Sequence, residues 1–350
     1  TIRVLERSLT VDVLKVVAAQ LIVWHHFSAY GPMADTMTLV WPQLMEWMYR
    51  YARLAVQVFL VIGGYLAAQS VMNKPTSSPL IHIFRRYLRL APIYILALAL
   101  ISLAVAVSRQ TIHANWLPSE PTIWQFLAHA FLAHDLLGFE ALSSGAWYIA
   151  IDFQLYAVLV LLCNLLQSDN HKRLSLGIAL LCVMSMWQFN RVDELDIWAI
   201  YFFAAYGLGV LAAWAKRSTF ETKVFWTITL FAVGALWFEY RTRLTLALAT
   251  AIWLVIKPKG MVHWTPIKRV VHRLSNSAYV LFLTHFGVIV LFSDMWNKSH
   301  FYDPDTALAL TTFAWLCSVG AGLFLHEKVE VPVHHWVSQK TKPFFLRLAR

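Results

Sequence analysis

Histidine, aspartate, lysine and arginine occur at a few positions inside stretches that are otherwise apolar, and chemistry is to be sought there. Residues 9–29 hold Asp12, Lys15, His25 and His26. Imidazole changes charge near neutral pH, so His25 and His26 are candidates for a general base or a proton carrier. If this stretch is helical, the eleven steps from Lys15 to His26 turn it about 1100°, about 20° beyond three full turns, so the two share a face about 16 Å apart. His25 then points about 100° away from His26. Asp12 lies one turn before Lys15 and can pair with it. Arg85, Arg86 and Arg89 stand three and four apart, which gathers their guanidinium groups at the mouth of an apolar run. Such forks bind phosphates in bidentate fashion, and they also snorkel to anionic headgroups with no ligand present.

Two further ionisable groups lie deeper. Asp152 falls about 9 Å below the start of its apolar segment, a depth close to that inferred for His26, so it is expected to orient that histidine. His285 is expected near the middle of another segment, as a second proton-carrying or substrate-binding group or as a hydrogen-bonded core histidine. Trp116, Trp124, Trp147 and Tyr148 offer ring faces near the outer surface, where aromatic belts at membrane interfaces need no ligand. Glu327 and Glu330 close the last segment, where they can balance the arginines or face water. There is no Gly-rich phosphate loop, no GxSxG elbow and no metal-ligand spacing, so no metal is expected.

The elements that must hold these groups follow from composition. Of the 350 residues, 59% are apolar and only 14% charged, against about 45–50% and about 25% in soluble domains. That excludes an ordinary soluble domain and a disordered chain. Cys163, Cys182 and Cys317 each sit in an apolar run, which excludes a disulfide scaffold. Ten apolar segments stand out, at 9–29, 52–72, 84–107, 147–166, 174–190, 197–215, 223–239, 243–256, 277–296 and 306–326. They lack the alternation of a β-barrel and have the length of membrane helices. Placing the N-terminus inside puts 21 of the 29 Lys and Arg on the cytoplasmic side and seven on the other, with Lys15 inside the first span. The positive-inside rule then sets both termini in the cytoplasm, and the net charge of +10 needs no nucleic acid. The expectation is an all-α polytopic bundle of about ten transmembrane helices over 1–350, one domain with no cleavable signal peptide. The loop 108–146 is expected to carry a helix, from the spacing of Ile123, Phe126, Leu127, Ala130, Phe131 and Leu137, either as an interfacial or re-entrant lid over the outer mouth or packed plainly onto the bundle. No internal repeat marks a transporter of the inverted-repeat kind.

In order along the chain, these landmarks resemble the acyltransferase-3 family of integral membrane acyltransferases. Asp12-Val13-Leu14-Lys15 followed by His25-His26 is similar to the family's opening motif, in which an Arg precedes an essential His by ten intervening residues; here Lys15 stands for the Arg. His82–Pro92 is similar to its basic stretch, and Trp147–Tyr156 to its Trp-containing segment, with Asp152 where Glu is usual. Ser275–Phe286 resembles its Ser-Tyr-Leu-His-Phe segment and Glu327–Pro332 its closing Glu-Pro element. The resemblance implies transfer of an acyl group, acetyl or succinyl, from cytoplasmic acyl-CoA to a hydroxyl of a glycan or glycolipid at the outer face of a bacterial-type inner membrane. It implies His26 and Asp152 as catalytic residues, Lys15, Arg85, Arg86 and Arg89 as acyl-CoA ligands, Trp116, Trp124, Trp147 and Tyr148 as rings that stack on the acceptor sugar, and no tightly bound cofactor. The competing expectation is a proton-coupled transporter or flippase in which His26, Asp152 and His285 relay protons.

Overall fold

A computed structural model describes residues 9–72, 78–166, 171–256 and 265–348. It is all-helical, 85% helix, with no strand among the described residues. Each of the ten apolar segments falls on a helix. These are α1 (Leu9–Ala29), α4 (Val56–Met72), α5 (Pro79–Ser108), α7 (Ala146–Leu166), α8 (His171–Trp187), α9 (Ala199–Trp214), α10 (Thr219–Phe238), α11 (Thr242–Ile256), α12 (Thr265–Ser299) and α13 (Pro304–Leu325). Between them lie α2 (Pro32–Val40), α3 (Pro42–Tyr51) and α6 (Ile123–Ala130), and α14 (Val331–Leu348) ends the described chain. Among the described residues six helices are long and apolar enough to cross a membrane: Leu9–Ala29, Pro42–Val71, Pro79–Ser108, Ala146–Leu166, Pro266–Ser299 and Pro304–Phe344. The apolar α9 and α11 are shorter. Of the basic residues used to orient the chain, Arg3, Arg7, Lys74, Lys257, Lys259 and Arg350 lie outside the described residues.

Helix starts follow local chemistry. Asp303 caps α13 by accepting from Thr306 N at 2.8 Å, with Pro304 in the first turn, and Ser218 caps α10 by accepting from Glu221 N. These are the residue types that satisfy the first free N–H groups of a helix. Inside a membrane, burial does not drive helices together, so close packing must. A Cβ built on Gly64 of α4 would lie 1.9 Å from Tyr206 O, and one on Gly209 of α9 would lie 1.9 Å from Val61 O. The two glycines therefore let the α4 and α9 backbones touch, where any side chain would force them apart. A polar clamp joins α1 to α12: Ser275 Oγ donates to Asp12 Oδ1 at 2.7 Å, His272 Nδ1 lies 3.2 Å from Asp12 Oδ2, and Lys15 Nζ donates to Ser275 O at 2.9 Å.

The stretch after α5 carries one short helix, α6. Its helix starts at Ile123 on a reciprocal capping box of Thr122 and Gln125, and it stops at Ala130, where Leu132 takes a left-handed φ of 58°. Leu137 is therefore outside it. The loop packs along α5: the Tyr87 hydroxyl, nearer the start of α5 than its end, donates to Ala130 O at 3.0 Å. Gln125 Nε2 donates to Glu140 O at 2.8 Å, and Leu142 N donates to His129 Nε2 at 3.0 Å. The loop thus delivers the start of α7 into the interior. A Cβ on Gly145 would lie 2.8 Å from Phe282 Cε1, and Phe282 is midway along the 35-residue α12.

Candidate active site

Two cavities penetrate the bundle from opposite ends. The first, about 290 Å³, is lined by Lys15 of α1, Arg86 and Arg89 of α5, Asp152 of α7, Tyr279 of α12 and the pair His326 and Glu330. Its charges answer one another. Arg86 Nη2 meets Asp152 Oδ2 at 2.5 Å, and the same guanidinium lies 5.2 Å from the centre of the Tyr156 ring. His326 Nδ1 meets Glu330 Oε2 at 2.5 Å within a π-helical turn, His326–Glu330, that joins α13 to α14. Such a turn widens a helix by one residue and commonly marks functional positions. His334 donates to the Arg89 carbonyl at 2.8 Å, tying α14 to α5.

The second cavity, about 550 Å³, holds the histidines. His25, His26, Tyr30, Arg53, Asp135, Ser144, Trp147, Asp196 and Arg243 line it. His26 Nδ1 and His285 Nε2 are 2.6 Å apart, and His285 Nδ1 is 3.0 Å from Leu281 O. A carbonyl only accepts, so His285 Nδ1 must carry a hydrogen. With both rings neutral, His285 Nε2 then holds a lone pair and His26 Nδ1 is the donor. That leaves His26 Nε2 as the unprotonated nitrogen, on a buried side chain at the cavity wall. The relay is therefore Leu281 carbonyl, His285, His26: the backbone of α12 sets the tautomer of a base on α1. Tyr30 stacks on His26 with ring centres 5.7 Å apart, and His25 packs against Tyr49 of α3 at 5.6 Å.

Several expected placements change. Asp152 does not orient His26; its carboxylate is held by Arg86 in the other cavity. Matching their depths assumed that α7 starts at the membrane surface, whereas it starts inside, beside Phe282. A buried carboxylate also takes a guanidinium over a neutral imidazole, because a charge in an apolar interior needs a countercharge. Lys15 and His26 line different cavities on one face of α1, Lys15 with the arginines and His26 with His285. Of the arginine trio, Arg86 and Arg89 line the first cavity and Arg85 is not among its lining residues. Trp147 lines the histidine cavity, but Tyr148 lines the arginine cavity. Trp116 packs on Tyr30 and Phe286, and Trp124 is 69% exposed on α6.

Sequence reasoning missed Phe282, which lines both cavities. The signal was its position three residues before His285, one helical turn along the same face. It also missed Arg53, Asp135, Asp196 and Arg243, which come to one cavity only through the fold. Among the described residues no group of three or more His, Cys, Asp or Glu is placed to hold a metal ion.

Comparison with known proteins adds to this geometry. The family model Acyl_transf_3, described as an acyltransferase domain, matches residues 9–325. A protein named regulator of hypoxia-inducible factor 1, from Caenorhabditis elegans, is 27% identical over 192 residues, covering 50% of this chain and 38% of that protein. The chain thus spans well under half the length of that relative. No solved structure matches the chain.

Proposed function

The chain belongs to the acyltransferase-3 family, and on that premise we propose that it moves an acyl group, acetyl foremost, from a cytoplasmic acyl-CoA to a hydroxyl of a glycan or glycolipid beyond the membrane. In this reading the bundle crosses a bacterial-type cytoplasmic membrane ten times with both termini inside, and the arginine cavity opens to the cytoplasm. One observation carries the reading: a histidine with its free nitrogen fixed by a relay stands one residue, Phe282, away from a cavity lined by Lys15, Arg86 and Arg89.

Lys15 and Arg89 attract the phosphates of the donor through charge-assisted hydrogen bonds, and Arg85, one turn before Arg89, adds to the positive charge nearby. Arg86, already neutralised by Asp152, contributes less to that charge and more to the shape of the pocket. The thioester arm extends toward His26. An acceptor hydroxyl in the histidine cavity gives its proton to His26 Nε2 as its oxygen attacks the thioester carbonyl. The C–O bond forms, the C–S bond breaks, and the thiolate of CoA takes the proton back from His26. While His26 is charged, its Nδ1–H bond to His285 becomes charge-assisted and stronger, which is how the second histidine lowers the barrier. The same lone pair can attack the thioester directly and carry the acyl group on nitrogen before the hydroxyl takes it.

The test uses purified protein in liposomes with radiolabelled acetyl-CoA. Wild type binds the donor and releases CoA; His26→Ala binds but does not release; Arg89→Ala binds more weakly. Label retained on wild-type protein and absent from His26→Ala marks the covalent route. A wild type that binds neither acetyl-CoA nor succinyl-CoA overturns the proposal and favours proton-coupled transport.

A further inference from the structure

Phe282 is the residue common to the linings of the two cavities. Its ring is buried and stands against Tyr148 at 5.3 Å between centres, Phe59 at 6.5 Å and His285 at 6.1 Å. On its remaining side is Gly145, where a Cβ would come within 2.8 Å of the ring. The ring is thus held in a slot made by α4, α7 and α12, with a glycine where any other residue would push it. On one side lie the arginine pair and Lys15; on the other lies His26.

From this geometry we infer that Phe282, seated on Gly145, is the partition through which the acyl group must pass to reach His26, and so the residue that sets which acyl groups are transferred. The inference rests on the acyl-CoA reading above. A short acyl group slips past the ring with a small rotation of its side chain, whereas a long one needs the whole slot to widen. In its resting position the ring also separates the thioester from water in the larger cavity. Removing the ring joins the two chambers. Water then reaches the thioester carbonyl: its oxygen forms the new C–O bond, the C–S bond breaks, and its proton ends on the CoA thiolate, giving free acid and CoA.

The experiment measures CoA release without acceptor, from acetyl-CoA and from octanoyl-CoA, by wild type, Phe282→Ala, Phe282→Leu and Gly145→Ala in proteoliposomes, with equilibrium binding of radiolabelled acetyl-CoA measured in parallel. Phe282→Ala is expected to raise CoA release from acetyl-CoA about tenfold, and to raise the octanoyl-to-acetyl ratio by at least as much. Phe282→Leu, which keeps an apolar plug of smaller reach, gives an intermediate ratio and guards against a misfolded alanine variant. Gly145→Ala, which presses the ring into the passage, lowers release below wild type while donor binding stays. Wild-type binding with unchanged rates and ratios in both Phe282 variants overturns the partition and leaves the acyltransferase reading standing. Loss of donor binding in wild type itself overturns that reading instead.

Discussion

The arginine cavity and the histidine cavity lie one aromatic ring apart and are built on opposite principles. In the first, the acidic groups are buried and each meets a basic side chain: Asp152 with Arg86, Glu330 with His326. In the second, the central groups are two imidazoles ordered by a single backbone carbonyl, while of the charged residues at the wall Arg53, Arg243 and Asp196 are exposed and Asp135 is half-buried beside His134. The difference follows from what each group costs to bury. A lone charge in a low-dielectric interior costs several kcal/mol and is tolerated only with a partner, whereas a neutral imidazole costs little once both nitrogens have a role. One cavity is therefore suited to attract a polyanion and the other to move a proton.

Breaking one side of this comparison should be costly in stability, and breaking the other costly in turnover. The largest expected effect is Asp152→Ala, which strands Arg86 and should lower unfolding free energy by about 3–5 kcal/mol, read by thermal unfolding in detergent. The double variant Arg86→Ala/Asp152→Ala should recover much of that loss, and equal stability of the single and double variants would show that the pair is not coupled. On the histidine side, His26→Ala should leave the unfolding temperature near wild type and cut CoA release by about 10²–10⁴-fold. His285→Ala should cost less, about tenfold, since it removes the orienting acceptor and not the base. His285→Gln sharpens the point: its amide oxygen can accept from His26 Nδ1, so activity above that of His285→Ala supports the relay, and equal activity sinks it.

The smallest effect concerns the loop beside the histidine cavity. Loss of solvation on burial holds His129 and His134 down at about 4, and for His129 the neighbouring His134 adds to the shift. Their rings stack with centres 4.0 Å apart. An unfolded histidine titrates near 6.5, so between about pH 6.5 and 4 the open loop binds more protons than the packed one. The stability these residues lend is therefore complete above about pH 6.5 and falls as the pH drops toward 4. Hydrogen exchange of residues 123–142, corrected for intrinsic rates, should accelerate over that window, and His134→Phe should flatten the response. A wild-type profile with no acceleration removes the loop from any pH dependence of the protein's stability.

Much of the site could be read along single helices. Lys15 and His26 share a face of α1 because 3.6 residues per turn makes it so, and Arg86 and Arg89 stand together for the same reason. The apolar runs announced helices because only helices and closed barrels satisfy a backbone in lipid, and the runs lack a barrel's alternation. The order of landmarks from Asp12 to Pro332 identified the family, and the match over residues 9–325 bears that out. Pairing across helices could not be read in that way. Asp152 joins Arg86 and not His26, and His285 takes the place beside His26, because α7 begins at mid-bundle where the loop delivers it.

Sequence by itself therefore determined the helical bundle, the membrane habit and the residue types available for chemistry, since these depend on local periodicity and on transfer from water. Only the tertiary structure decided which carboxylate met which cation, which nitrogen of His26 is left free, and that Phe282 stands between the two cavities. Those outcomes depend on how far each helix start is drawn into the bundle and on which faces meet, and residues more than 200 positions apart, such as His26 and His285, come within hydrogen-bonding reach only when the helices pack.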